Sequence, residues 1–349
     1  MFASSHSWLR KSLRVSGAIL GWLFLSAISI WAIAALYLDF PRASLRFPLA
    51  VMYALCVLVA MVFLKRGWAK AVAIGGSFLI VLAWWLSLKP SNNRPWQPDV
   101  SQTAWAEVEG DRVTIHNVRD CSYRAEFDYT CQWENRSYDL SQMRGIDVFV
   151  TYWGSPWIAH PIVSFQFGDK QHIAFSIETR KEIGESYSAI RGFFRQYELI
   201  ETVADERDVI RLRTNYRTGE DVYLFHTTAG PVWSRSLFLE YLRQLNKMHD
   251  HPRWYNALTN NCTTNIFSNK AAADGSSKAS WDWRSVLNGK ADEMEYERGD
   301  FAENLPFAEL KRRAYINPTA RAADGDPDYS ERVRDGRPGF ETSSLDTPK

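Results

Sequence analysis

The residues best suited to chemistry surround Cys262, in the stretch Asn-Asn-Cys-Thr-Thr at 260–264. Asn260, Asn261 and Thr263 are residue types that cap helix N-termini, so we expect Cys262 at or just inside the start of a helix. There the unpaired backbone N–H groups and the helix dipole favour a thiolate and lower the pKa of the thiol. The same N–H groups stabilise the oxyanion of an acyl-transfer intermediate. The alternative is a small buried residue in a capped helix.

A thiol nucleophile needs a base, and two of the seven histidines are placed to supply one. His160 opens the β-like run 160–167, and His172 opens the next run, 172–178, after a short loop that begins at Gly168. Two such runs form a hairpin, and we expect both imidazoles to face one end of a sheet. His160 is the predicted base, and His172 is predicted to hold its imidazole in the useful tautomer. A single histidine at a strand end is more often structural.

Three further side chains are candidates for supporting roles. Asn261 precedes the thiol and is a candidate for the oxyanion hole. Glu178 and Arg180 are same-face neighbours on a strand of period 2. They are expected to pair with Arg211 or Arg213, or alternatively to line the site.

The elements that carry these residues follow a membrane region. The runs 15–38, 47–64 and 71–88 contain no charged residue, and about 17 apolar residues suffice for a span. A cleaved signal peptide is the alternative, but its apolar core has only about 7–15 residues. Near the ends of the spans, six lysines and arginines fall on the side of the membrane that holds the N-terminus and four on the opposite side. This bias predicts a cytoplasmic N-terminus and a periplasmic C-terminal domain.

The rest of the chain is predicted to be α+β, because strand-like runs precede helical ones. The Lys+Arg total of 41 against 40 Asp+Glu argues against a nucleic-acid partner, since such binding depends on neutralising phosphates. The expected organisation is a cytoplasmic N-terminus at 1–14, three spans at 15–88, a Pro/Asn linker at 89–99, a periplasmic domain at 100–318 and a disordered tail at 319–349.

Cysteine usage agrees with export. Cys121 and Cys131 lie ten positions apart in a polar, aromatic stretch. In an oxidising compartment they are candidates for a disulfide, which would stabilise the domain by roughly 3 kcal/mol. Spacing alone leaves the geometry open. Pairing them leaves Cys262 as a thiol that is either reactive or buried and inert.

Two resemblances follow from these motifs. The paired His-bearing runs resemble those of NlpC-type papain-like cysteine enzymes, and a histidine that precedes the cysteine matches the circularly permuted branch that includes lecithin:retinol acyltransferase. A broader similarity, from about residue 137 to 272, is to the Lnb N-terminal periplasmic domain family of bacterial membrane proteins. The motifs that carry it are Ser-Ile-Glu-Thr-Arg at 176–180, Gly-Phe-Phe-Arg-Gln-Tyr-Glu-Leu at 192–199, Asp-Glu-Arg-Asp at 205–208, Arg-Leu-Arg-Thr-Asn-Tyr-Arg at 211–217 and the stretch 255–264.

The resemblance implies an inner-membrane protein with a permuted papain-like domain in the periplasm. It also implies a cysteine acyltransferase or hydrolase, without cofactor or metal, whose substrates are membrane lipids or lipoproteins. Three alternatives stay open: an inactive binding or scaffold domain, a cell-wall peptide amidase, and a zinc site held by His160, His172 and Cys262.

Overall fold

The structure, a computed structural model, describes residues 3–276, 282–285 and 287–340, with side chains from residue 12. It divides into a helical unit, residues 1–90 with 188–196, and an α/β unit that holds the remainder. The helical unit contains three helices that are long and apolar enough to cross a membrane, so the prediction of three apolar helices is confirmed. They are α1 (Ala3–Asp39), α2 (Ala43–Phe63) and α3 (Gly67–Ser87).

Small residues bring these helices together. Ala32, Ala35 and Ala50 are buried in the cluster that joins them, and small side chains let apolar helices approach closely where water provides no driving force. Tyr53 of α2 is buried in the same cluster. Most of the remaining apolar surface of α1, α2 and α3 is exposed, as expected of helices that face lipid.

The α/β unit is built on one mixed sheet, in agreement with the predicted α+β class. Its order is β1-β2-β7-β6-β5-β4-β8, with β3 paired to β2, and all pairings are antiparallel except β2 with β7. The strands are β1 (Trp105–Glu109), β2 (Arg112–Ala125), β3 (Asp128–Asp139), β4 (Met143–Trp153), β5 (Ala159–Phe167), β6 (Gln171–Arg180), β7 (Glu198–Ala204) and β8 (Glu220–His226).

Helices cover both faces of the central strands, and the alternation of side chains decides which core each residue joins. One face, called here the α6 face, packs Phe165 and Phe175 against Phe238 and Tyr241. The other, the α4 face, buries residues such as Ile162. The helices are α4 (Glu206–Arg211), which continues as a π-helical turn (Leu212–Tyr216), α5 (Pro231–Asp250), α6 (Cys262–Ala273), α7 (Ala291–Glu297), α8 (Phe307–Ala314), α9 (Asn317–Ala322) and α10 (Tyr329–Arg332).

The chain after Thr319 is folded up to Phe340, which corrects the prediction of a disordered tail. Tyr329 and Val333 are completely buried on the α4 face. Arg334 is also buried, and its guanidinium binds the carboxylates of Asp147 and Glu206, each at 2.7 Å. A few well-placed apolar and charged residues thus anchor a polar segment whose composition suggested disorder. Residues 341–349 lie outside the described part.

Cys121 and Cys131 form a disulfide in the structure. They face each other directly in the register of β2 and β3, so the bridge crosses a single pair of strands. Asp208 supports this hairpin from α4, because its buried carboxylate accepts hydrogen bonds from the Arg119 guanidinium and the Cys121 N–H.

Candidate functional site

The two predicted histidines lie at opposite ends of the β5–β6 hairpin. His172 is the second residue of β6, beside the turn, and is paired with Gln166, six residues along β5 from His160. At about 3.3 Å per residue this separates them by roughly 20 Å. Successive strands of a hairpin start at opposite ends, so the expectation that both imidazoles face one end is wrong. His172 does not orient His160, and a zinc ion cannot bind both.

His172 belongs to a buried polar cluster at its own end of the sheet. Its Nε2 lies 3.2 Å from Glu331 of α10 and its Nδ1 lies 3.9 Å from Glu206 of α4. Glu206 also accepts a hydrogen bond from Ser164 at 2.6 Å. Burial alone raises the pKa of Glu206, but Arg334 and His172 outweigh it and hold that pKa below its usual range. These contacts fasten α4 and α10 to the sheet.

His160 lies at the other end, called here the Cys262 end, in a relay of three side chains. Its Nε2 is 2.8 Å from the Ser176 hydroxyl, and that hydroxyl donates to Glu178 Oε1 at 2.8 Å. Because the Ser176 hydroxyl donates its proton to a carboxylate, the Ser176 oxygen must accept a hydrogen bond from the imidazole. Nε2 therefore carries the imidazole proton. Nδ1 is then left with the lone pair that a general base uses.

Electrostatics keep this relay in one protonation state. Burial, reinforced by the charge of Arg213, lowers the pKa of His160 to about 3. Burial alone raises the pKa of Glu178, but Arg213 and then His160 outweigh it, so the net shift is downward. Arg213 lies 3.0 Å from Glu178 and 3.4 Å from Glu220. At neutral pH the imidazole is therefore neutral and the carboxylate is charged.

Cys262 is the first residue of α6, as predicted. Asn261 caps the helix: its Oδ1 accepts from the Thr264 N–H at 2.9 Å, and the Thr264 hydroxyl accepts from the Asn261 N–H at 2.9 Å. The other half of the Asn261 amide donates to Ala257 O. Oδ1 and one Nδ2 hydrogen of Asn261 are thus used within the cap, and its role in the oxyanion hole stays a prediction.

The thiol is surrounded by hydrogen-bond donors yet is buried. Burial raises the pKa of Cys262, and the Thr263 hydroxyl, the Thr263 and Cys262 N–H groups and the charge of Arg213 only partly offset that rise. The helix start thus lowers the pKa of the thiol as expected, but burial raises that pKa by more. The resting group is therefore a neutral thiol. Asn288 adds a further donor, with its Nδ2 3.8 Å from Sγ and 3.1 Å from Thr263 Oγ1.

Cys262 and His160 share one end of the sheet but face different cores. Cys262 belongs to the cluster on the α6 face, whereas His160 is in register with Thr151 of β4 and reaches Ser176 on the α4 face. Within the described residues no hydrogen bond joins the two. Asn288 spans them, because its Oδ1 accepts from the N–H of Ala159, the neighbour of His160, at 2.9 Å.

Arg180 is a structural residue at this end, not part of the site. Its guanidinium donates to the carbonyls of Val100 and Ser101 and to Asn92 Oδ1, and it stacks on Trp96 at 4.3 Å. Arg180 therefore fixes the start of the α/β unit against the end of β6. Glu178, two residues earlier, belongs to the relay instead.

A cavity of about 640 Å³ opens on the α6 face beside Thr263, the residue that follows the thiol. The sheet gives it an apolar floor, and Thr263 and Ile266 of α6 form part of its wall. One edge is charged: Lys270 binds Glu295 and, at 2.9 Å, Asp300, and burial raises the pKa of Glu295 to about 7. The floor consists of Ile146, Val148, Val150, Pro161 and Val163.

Two residues of this site, Ser176 and Asn288, were not predicted. Ser176 and Glu178 follow a period of 2 on β6, so Ser176 was detectable as a same-face neighbour once its strand was aligned with His160. Arg213, one of the two arginines expected to pair with Glu178, does so from the π-helical turn, at 3.0 Å. Asn288 is 26 residues beyond Cys262, and no local signal connects it to the thiol.

Three long apolar helices and a mixed α+β unit define a membrane protein with one folded domain outside the helices. Residues 129–289 match the family model of the Lnb N-terminal periplasmic domain. This match confirms the resemblance to that periplasmic domain family over these residues. Comparisons with curated proteins and with solved structures give no significant match. The relationship to NlpC-type enzymes, the circular permutation and the multi-pass inner-membrane location stay predictions.

Proposed function

We propose that the α/β unit is a cysteine-dependent acyltransferase or hydrolase that acts on the acyl group of a membrane lipid or lipoprotein. The observation that carries this proposal is the position of the Cys262 thiol, at a capped helix start where the N–H groups of Cys262 and Thr263 act on Sγ. The next residue, Thr263, lines a large and mainly apolar cavity. Protein sites of several hundred cubic ångströms with an apolar lining are typical of ligand pockets.

In the proposed reaction Cys262 Sγ attacks an ester or amide carbonyl and His160 Nδ1 takes the thiol proton. The C–S bond forms, and the oxyanion lies near the N–H groups of Cys262 and Thr263 and the amide of Asn288. The C–O or C–N bond then breaks, and the leaving group takes the proton from His160. A second alcohol, amine or water molecule gives its proton to His160 and attacks the acyl-cysteine carbonyl. The C–S bond then breaks and the sulfur takes the proton back from His160, which restores the thiol and the neutral imidazole.

This proposal requires Sγ and Nδ1 to approach each other when substrate binds. The thiol is only 7 % exposed at rest and its pKa is raised by burial, so a substrate-free site protects it from oxidation and alkylation. His160 is neutral, with its proton held at Nε2 by Ser176, so its Nδ1 lone pair is free. Proton transfer from the thiol also requires substrate binding to raise the low pKa of this imidazole toward the working pH.

The apolar lining favours an acyl chain over a cell-wall peptide, which presents amides, charges and sugars. A chain lying on the sheet floor would bring its carbonyl near Thr263 and hence near the thiol. The charged edge formed by Lys270, Glu295 and Asp300 would then lie beside the polar part of the ligand.

The test uses the full chain in nanodiscs with a phospholipid that carries an alkyne-tagged acyl chain. We expect a hydroxylamine-sensitive acyl group on the peptide containing Cys262, absent from Cys262→Ala and at least tenfold slower in His160→Ala. Cys56→Ser serves as the matched control and should be labelled like wild type. Cleavage of muropeptides instead would indicate the amidase. If there is no acylation and no cleavage, and Cys262 is alkylated at the same rate in wild type and in His160→Ala, the unit is a binding domain.

A further inference from the structure

Exposed apolar side chains collect at one end of the α/β unit. Six residues at the Cys262 end are between 42 and 68 % exposed, although each is large and apolar or aromatic. They lie in the β4–β5 loop, the chain after β6, the loop before α6 and the turn before Asn288. We call this set the apolar rim; it consists of Trp157, Ile158, Ile183, Tyr187, Leu258 and Leu287.

The loops of the rim are connected to one another. The Gly289 N–H donates to Trp157 O at 3.0 Å, which joins the turn before α7 to the β4–β5 loop. Leu258 lies in the loop whose next residues cap α6, and the Asn256 and Asn260 backbones bond to each other across it. The loop at 256–260 leads directly into α6, and Asn288, in the turn that bonds to the β4–β5 loop, lies 3.8 Å from the Cys262 thiol, so these parts of the rim lie near it.

The opposite end of the unit is different in chemistry. Its surface carries Arg136, Lys170, Asp205 and Asp328, which mix both signs of charge. Val232, at the start of α5 there, is 84 % exposed and lies one helical turn from Arg235, which pairs with Asp111. Single exposed apolar residues are ordinary, whereas a contiguous set marks an interaction surface.

The chain itself indicates what the rim contacts. The α/β unit connects to the helical unit at Pro90–Ser91 and again on both sides of 188–196. Residues 95–97 pair with 181–183, directly after β6, so every one of these connections leaves from the Cys262 end.

The segment 188–196 is part of the helical unit. Phe194 stacks on Trp31 of α1 at 6.2 Å, and Gln196 donates to the Leu38 carbonyl at the end of α1 at 2.8 Å. The rim residue Tyr187 immediately precedes this segment. Within one residue, therefore, the chain passes from the rim to the ends of helices long enough to span a bilayer.

We propose that the apolar rim inserts into the interfacial layer of the lipid bilayer. Trp and Tyr are the residues favoured at that depth, where one edge of the ring is apolar and the other is wet. Lys290 Nζ lies 5.9 Å from the Trp157 ring, so a cation accompanies the ring at the level of phosphate groups. This inference concerns where the unit binds lipid and holds whether or not Cys262 is catalytic.

The experiment uses the full chain with Cys56→Ser and Cys262→Ser, which leaves the Cys121–Cys131 disulfide in place. Ile158→Cys or Leu258→Cys provides one site for an environment-sensitive nitrobenzoxadiazole probe, and Val232→Cys is the control at the other end. In nanodiscs containing phosphatidylethanolamine and phosphatidylglycerol, nitroxide-bearing lipids should quench positions 158 and 258 at least threefold more than position 232. Aqueous iodide should show the reverse order.

Equal accessibility of all three positions to iodide would overturn the proposal, as would equal quenching by lipid. A readout on the chain without substitutions guards against a misfolded variant. Hydroxyl-radical footprinting compares the wild-type protein in nanodiscs with the same protein in the lowest concentration of a small-headed detergent that keeps it in solution. The peptide with Trp157 should be oxidised more slowly in nanodiscs, and the peptide with Val232 should be oxidised at the same rate in both. Oxidation of Trp157 at the same rate in both would contradict membrane insertion.

Discussion

His160 Nε2 lies 2.8 Å from Ser176 Oγ, and the serine passes its own proton to Glu178. This pairing fixes the tautomer of the imidazole without a direct ion pair, since Nε2 and the Glu178 carboxylate are 3.9 Å apart. The residue that orients the base is therefore its neighbour on β6, and His172 has no part in it.

Ser176→Ala should slow acylation of Cys262 by about ten- to a hundredfold, because the imidazole loses the contact that keeps Nδ1 free to accept a proton. The rate of acyl transfer from the tagged phospholipid measures it. Ser164→Ala is the matched control: it removes a buried serine–carboxylate hydrogen bond at the His172 end. That control should lower the thermal midpoint but leave the acylation rate within twofold. Equal losses of rate in both variants would contradict the relay.

His172→Ala should lower the stability of the fold and leave the acylation rate of Cys262 unchanged. The substitution removes contacts with Glu331 and Glu206, and the loss of one buried hydrogen-bonded group destabilises a protein by about 1–3 kcal/mol. The thermal midpoint in detergent and the acylation rate of Cys262 are measured on the same sample. A large fall in the rate at an unchanged midpoint would restore His172 to the site.

The local elements around the site were readable from the sequence, because they depend on short-range patterns. The capping residues of 260–264 predicted the start of α6, and the turn at Gly168 predicted the β5–β6 hairpin. Their long-range relationships were not readable. The pKa of Cys262 depends on burial beneath elements far away in the chain, and Asn288 reaches the thiol only through tertiary packing.

The folded segment after Thr319 is a second case in which long-range contacts could not be read from the sequence. Its composition is polar, and disorder is the usual inference from few apolar residues. The segment is nevertheless ordered to Phe340 because Arg334 supplies two buried carboxylates with a counter-charge. Such a partner is invisible until the positions of Asp147 and Glu206 are known.

Val163→Phe should shorten the acyl chain that the domain accepts. Val163 lies on the cavity floor, and an added ring removes space needed by the distal methylenes, at a stability cost of about 1–3 kcal/mol for overpacking. The measurement compares labelling of Cys262 by tagged lipids with eight-carbon and sixteen-carbon chains. The ratio should shift toward the short chain by about tenfold. A uniform fall for both lengths would place the acyl chain elsewhere.

Loss of the disulfide should destabilise the α/β unit without touching the site. Cys121 and Cys131 close a short loop, and the chain-entropy estimate for its removal by Cys131→Ser is about 3 kcal/mol. The thermal midpoint should fall by roughly 6–10 °C for a unit of this size. Cys56→Ser, which removes an exposed thiol in α2, is the control and should not move the transition of the α/β unit. An unchanged midpoint for Cys131→Ser would show that the bridge contributes no stability.

Glu201 should make the domain less stable as the pH rises. Its carboxyl is buried on β7 with both oxygens lacking a hydrogen-bond partner among the described residues, and burial, opposed only in part by Arg253, raises its pKa to about 8. The folded state therefore holds a proton that the unfolded chain releases near pH 4.3. Stability contributed by this proton is complete below that pH and is lost progressively up to about pH 8.

Glu201→Gln keeps the shape of the side chain but cannot ionise, so its thermal midpoint should change little between pH 5 and pH 8 while that of wild type falls. The exposed Glu109→Gln is the control and should follow wild type; parallel curves for all three proteins would mean that Glu201 ionises normally within the fold.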